Sequence, residues 1–231
     1  MFDPVISFTA GLIAGLAEPL GSAPLAIVVF TLLVRLMLLP LGVMQARGER
    51  ARIRLAPEVQ RLRKRYGRDP GRLQRELAAL YARERTSPLA GCLPSVAQMP
   101  FLMVTYQVFV SSTIAGQANA LLTHGLLGVP LGQQFAGTVA GFGLISGPTM
   151  VFAGLFLLLV AVAWITSRRT RRTMSEDLQP AALRRILPLL PYGTVLIAMV
   201  LPLAAGIYLL VSTAWTAGER AVLHRPALAG A

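Results

Sequence analysis

The chain has 231 residues, 55% of them hydrophobic and only 14% charged, with a mean hydropathy of +0.62. Soluble domains carry about 25% charged residues, so this composition excludes an ordinary soluble domain, and the apolar excess excludes a disordered chain. A lone cysteine, Cys92, excludes a disulfide scaffold. The net charge of +12 would suit an anionic surface if it were spread out. It is not: 13 of the 22 Lys and Arg fall between Arg47 and Arg85, six between Arg168 and Arg185, and two at Arg220 and Arg225. Arg35 alone sits inside an apolar run, and residues 111–148 carry no Lys or Arg. Cations segregated between long apolar runs describe the topology of a polytopic membrane protein, not recognition of a nucleic-acid sequence.

The elements follow in chain order. Residues 1–22 form an extracytoplasmic segment that begins Met1-Phe2-Asp3-Pro4, without the basic start of a signal peptide. Within it, Val5, Phe8, Leu12 and Leu16 repeat at helical spacing. Residues 5–18 therefore read as an amphipathic helix in the outer interface, or as an irregular apolar lead-in. About 20 apolar residues cross a bilayer, and Ala23–Met44 qualifies as the first span, with residues 23–46 its full extent. Residues 47–86 read as two basic helices, one with the stripe Leu55, Val59, Leu62, Tyr66 and the other with Leu73, Leu77, Leu80. Gly67 suits the end of the first, Asp69 the cap of the second and Pro70 its first position. The two stripes pair them into a short antiparallel coiled coil. Its cations, Arg61, Arg63, Lys64, Arg65 and Arg68, face anionic headgroups on one reading. On the other they dock a ribosome, signal-recognition components or a nascent chain.

The second span falls in residues 87–113, an uncharged outer segment in 114–148, and the third span in 149–167. A basic loop occupies 168–182. The apolar stretch Ile186–Gly218 then turns near Pro202 into a fourth span (183–201) and a fifth (202–218), with a tail at 219–231. Five spans with the N-terminus outside place every cation cluster on the cytoplasmic side; four spans would put Arg220 and Arg225 outside. The expected fold is thus an all-α membrane protein with five spans, a cytoplasmic helical hairpin and an N-terminal interfacial helix as the remaining question.

Arg35 needs an explanation. A charge at the centre of a membrane helix costs about 2.5–3.5 kcal/mol on insertion scales. The cytoplasmic boundary is about two turns away, too far for easy snorkelling. Asp3 and Glu18 lie outside the spans, and Glu176 and Asp177 lie in a loop, so no acidic partner is at hand. An unpaired intramembrane Arg implies a water-filled cavity or an anionic ligand. Thr31, one turn before Arg35, shares its face. Gln98, Gln107, Tyr106, Thr166, Tyr192, Tyr208 and Ser212 are candidates from the other spans. Singly, each suits an interhelical hydrogen bond; together they suggest a hydrophilic interior. Cys92 reads as a packing residue, since His124 and His224 fall outside the spans. No metal-ligand spacing or phosphate loop is present, so no cofactor and no catalytic residue is expected.

Three segments carry a resemblance. VRLMLLPL (34–41), SPLAGCLPSVAQMPFLMVTYQVF (87–109) and LPLAAGIYLLVS (201–212), with the basic hairpin between the first two, resemble the YidC/Oxa/Alb family of membrane protein insertases. The resemblance implies five core helices around a groove open to cytoplasm and lipid but closed outside. The Arg matching Arg35 faces that groove and attracts acidic residues of a substrate's outer tail. It implies Thr31, Gln98, Tyr106, Thr166, Tyr208 and Ser212 as groove residues, and nascent membrane proteins and the bilayer as partners, with the Sec translocon and ribosome as further expectations. It implies residence in the bacterial cytoplasmic membrane. Leu209 stands where the family often has an aromatic residue, Thr213 where it has Asn, and Thr166-Ser167 where it has Gln, which points to a less polar groove. The sequence shows no large preceding domain, no lipoprotein cysteine near its start and no long tail, the pattern of a compact bacterial member. From the residues alone, a small anion transporter and a structural subunit of a membrane complex remain alternatives.

Overall fold

The computed structural model describes residues 3–84, 93–114, 116–173 and 185–223. Cys92 with the first half of its motif, the loop carboxylates Glu176 and Asp177, His224 and Arg225 lie outside the described residues. The chain is mostly helical, as its composition requires. Nine α-helices are described: α1 Asp3–Leu20, α2 Ala23–Met37, α3 Leu39–Tyr66, α4 Pro70–Arg83, α5 Leu93–Val110, α6 Phe135–Phe142, α7 Gly147–Thr173, α8 Gly193–Val200 and α9 Leu203–Leu223. Within α7, the 25 residues Gly147–Arg171 contain an 18-residue window of mean hydropathy 2.4; they make about 37 Å of helix, enough to cross a bilayer alone. The pair α2 and α3 passes the same test only together, as one span bent by 54°.

That bend has a local cause. Pro40 has no N–H to give Leu36, so the helix ladder fails one turn after Arg35. The Leu38 N–H still reaches the Val34 carbonyl at 2.9 Å, and the Gly42 N–H resumes the ladder at Leu38, 3.1 Å away. From there α3 runs unbroken through residue 46 to Tyr66, with Gly67 at its end. Asp69 caps α4, accepting the Arg72 N–H at 3.0 Å, and Pro70 opens the helix. The two helices lie antiparallel, joined by Arg54–Glu84 and Arg83–Glu58, both 3.1 Å, with Leu55 and Leu80 buried between them.

The core gathers α1, α2, α5, α7 and α9 around Ile13, Ile27, Phe109, Phe152 and Leu203. α1 differs from the expected stripe. Of that stripe Val5, Phe8 and Leu12 point outward and Leu16 packs on the core, where its companions are Ile6, Ala10, Ile13 and Ala17. Both faces of this helix are apolar, so spacing alone did not separate the packed side from the outward one. The region before Gly193 also differs from a regular fourth helix. Pro188 and Pro191 interrupt the α-ladder, and Leu187–Tyr192 is a 3-10 helix leading into the eight residues of α8. The fifth helix is correspondingly long, ending at Leu223 instead of Gly218.

The 114–148 segment is not purely helical. It carries two short antiparallel ladders, Thr113–Ile114 with Gln117–Ala118 and Gly125–Leu126 with Val129–Pro130. Leu127 and Gly128 turn the second, both at positive φ, the geometry that matches strand twist. The segment closes over the bundle. Leu121, Val129 and Leu131 are buried in the core. Two N–H groups at the start of α9, which have no partner within a helix, find carbonyls there: Leu203 to Gln133 and Ala204 to Leu131, each 2.9 Å.

Candidate functional site: a hydroxyl-lined cavity around Arg35

Arg35 lies on the last turn of α2 and borders two cavities. The smaller one touches Phe30, Thr31, Gln98, Thr105 and Tyr208, so it joins α2, α5 and α9. The larger, about 200 Å³, opens between α7, the Pro191–Thr194 corner and α9. It is lined by Arg35, Thr166, Thr194, Ser212, Thr213 and Thr216, among others, with Arg220 also on its wall. No Asp or Glu lines either cavity. Among the described residues no carboxylate pairs with Arg35.

Each hydroxyl has a local reason for its place. Thr31 is buried and donates to the Ile27 carbonyl at 2.7 Å, Thr166 to Val162 at 2.8 Å, and Thr216 to Ser212 at 2.9 Å. Such bonds satisfy the hydroxyl hydrogen within its own helix and leave oxygen lone pairs to the cavity. Ser212 differs: its Oγ is buried with no hydrogen-bond partner among the described residues. Tyr208 packs its ring on Phe109 with centroids 5.5 Å apart.

The structure therefore brings together six of the seven predicted groove residues: Arg35 on both cavities, Thr31, Gln98 and Tyr208 on the smaller, Thr166 and Ser212 on the larger. Tyr106 lines neither and is 41% exposed. Gln107 is also turned away, its Oε1 accepting from the Ser111 hydroxyl at 3.0 Å. Sequence reasoning missed Thr194, Thr213, Thr216 and Arg220 as cavity residues. A signal for two of them was present: Ser212, Thr216 and Arg220 recur every four residues, hence on one helix face.

The hairpin cations stand apart from this cavity. Arg61, Arg63, Lys64, Arg65 and Arg68 are all exposed. A separate notch of about 320 Å³ holds Arg61 beside Glu58 and Glu76. Arg65 and Arg72 flank the Tyr66 ring at 5.4 and 5.0 Å, a cation–π sandwich that stiffens the tip.

A family model described as 60Kd inner membrane protein matches residues 15–229. Relatives include the membrane protein insertase YidC of Streptomyces avermitilis, 27% identical over 87% of this chain and 51% of the relative. The YidC of Clostridium perfringens is 40% identical over 38% of this chain and 37% of its own length. The membrane protein insertase MisCA of Bacillus subtilis is 34% identical over 48% of this chain and 41% of its own. The chain thus spans about half the length, or less, of the curated relatives it matches. The family match takes in the bent Arg35 helix, the hairpin, the closing outer segment and the hydroxyl ladder of α9, and the chain belongs to the 60Kd inner membrane protein family, the YidC/Oxa/Alb family.

Proposed function

We propose that this chain is a membrane protein insertase and chaperone of the bacterial cytoplasmic membrane. The observation that carries the reading is Arg35, a cation without a carboxylate partner among the described residues, on the walls of two cavities between helices. A negative group entering hydrocarbon faces a large desolvation penalty. A cavity between helices with a fixed positive charge on its wall lowers that penalty for an acidic residue in a substrate's outer tail. The apolar segment behind it then slides sideways into lipid. No covalent step is needed.

The five-span arrangement supports this use. α2 with the start of α3, α5, α7, the 187–200 stretch and α9 serve as spans, with α1 along the outer interface. The N-terminus then lies outside, and the α3–α4 hairpin and the end of α9 lie in the cytoplasm. The 187–200 stretch, six residues of 3-10 and eight of α-helix, is about 24 Å long. That is short for a bilayer and favours local thinning beside the cavity. The outer segment, tied to α9 through Leu131 and Gln133, keeps the cavity from becoming a through-channel, which argues against an anion transporter. The substrates are nascent membrane proteins with short outer tails. The exposed cations of the hairpin suit the ribosome, the Sec translocon or anionic lipid as contacts.

Insertion into liposomes of purified protein tests the proposal, with a single-span substrate carrying an acidic outer tail. Wild type and Arg35→Lys are expected to insert it, and Arg35→Ala to lose most of that activity. Equal insertion by Arg35→Ala would remove Arg35 as the receptor; no insertion by wild type would remove the insertase reading.

A further inference from the structure

Arg220 shares the larger cavity with Arg35. Two arginines line one space of about 200 Å³ whose wall carries no acid. The acidic neighbour, Glu219, is turned the other way, against Gly42 of α3. Among the described residues no carboxylate pairs with Arg220. Between the two cations runs a ladder on one face of α9: Ser212, Thr216, Arg220. Eight residues of helix put Arg220 about 12 Å beyond Ser212 along the axis. Arg220 is exposed, whereas Ser212 is buried and its Oγ is unpartnered among the described residues. Arg169 fixes this wall by donating from Nη1 to the Ala217 carbonyl at 3.2 Å, which ties α7 to α9 at the mouth.

We propose that Arg220 is a second receptor at the cytoplasmic mouth, which takes the carboxylate of an apolar peptide there and passes it along the α9 face past Ser212 to Arg35. The inference rests on the insertase reading and deepens it. A carboxylate accepts from both arginines, and between them from the Ser212 hydroxyl, whose hydrogen is not committed; Thr216 donates only by giving up its bond to the Ser212 carbonyl, so the arginines carry the attraction. Arg220, being exposed and screened, supplies capture; Arg35, more enclosed, supplies retention. The other anion source, a lipid phosphate, is what the test must separate.

The probe is a synthetic apolar-span peptide with one Asp near its N-terminus and a photoreactive residue beside it. It is mixed with the full chain in an uncharged detergent, so that no lipid phosphate is present. Labelling yield is compared for wild type, Arg220→Gln and Arg220→Lys, with an Asp→Asn peptide as control. Labelling by the Asp peptide is expected to fall about two- to five-fold in Arg220→Gln, the range an exposed charge pair supports. Arg220→Lys should restore most of it, and the Asn peptide should label all three proteins at one low level. Equal labelling of wild type and Arg220→Gln by the Asp peptide overturns the proposal. So does a difference that appears only when anionic lipid is added, since it assigns Arg220 to headgroups. This readout is independent of insertion. Asp-dependent labelling with no insertion in liposomes would remove the insertase reading and leave the two-arginine carboxylate site standing.

Discussion

At the scale of single residues, Asn119 is the joint between α5 and the outer segment. It is buried, donates from Nδ2 to the Val108 carbonyl at 2.8 Å and the Ser111 carbonyl at 3.0 Å, and accepts the Leu121 N–H at 3.2 Å. Asn119→Ala strands these backbone groups at roughly 1–3 kcal/mol for each one left buried without water. The melting temperature in detergent should fall clearly, and Asn119→Asp should recover only part of it, because the carboxylate cannot donate to two carbonyls. An unchanged melt would mean water replaces the side chain. Asn119 could not be singled out from the sequence, since its three partners lie across a turn. Arg35 could, because a charge inside an apolar run is anomalous in any environment. The hydroxyls around it were harder: threonines in apolar helices serve packing and cavities alike, and only the fold puts Thr194 opposite Thr216.

At the scale of elements, the crossing of α7 and α9 depends on Gly206. A Cβ there would stand 2.6 Å from Leu155 Cδ2, in the core. Gly206→Val should therefore cost about 1–3 kcal/mol through overpacking. The double variant Gly206→Val with Leu155→Ala should recover part of that by supplying room, as read by thermal unfolding in detergent. If the second change only adds to the damage, the close approach is not what Gly206 serves. In the hairpin, local caps and exposed pairs separate cleanly. Asp69→Ala removes the α4 cap and should cost about 0.5–2 kcal/mol, seen as faster amide exchange in the first turn after Pro70. Arg83→Gln breaks an exposed bridge to Glu58 and should change exchange little, since such pairs contribute about 0–1 kcal/mol. These hairpin features were legible in the chain because capping is local chemistry. The α1 face and the 3-10 turn at Leu187–Tyr192 were not. The first depends on what packs against an all-apolar helix, and the second on how two prolines share six residues.

At the scale of the whole molecule, orientation across the membrane is the property from which the rest follows. With Cys92→Ser as background, Gln117→Cys should react with an impermeant maleimide on intact cells, and Arg63→Cys only after permeabilisation. The reverse pattern would invert the topology and move the Arg35 cavity to the outer side. The bend at Leu38 has a mechanical consequence for that arrangement. α3 has 28 residues, about 42 Å of continuous rod, and it starts four residues after Arg35. It is a lever with very unequal arms. A rotation of roughly 10° about Leu38 carries the Tyr66 tip about 7 Å, yet moves Gly42, where α3 meets Glu219 of α9, by about 1 Å. A large partner resting on the hairpin tip thus trades a wide, weak displacement for a small, forceful one beside the cavity. The same gearing means that a swing of the tip displaces the Arg35 end of the bend far less than the tip itself.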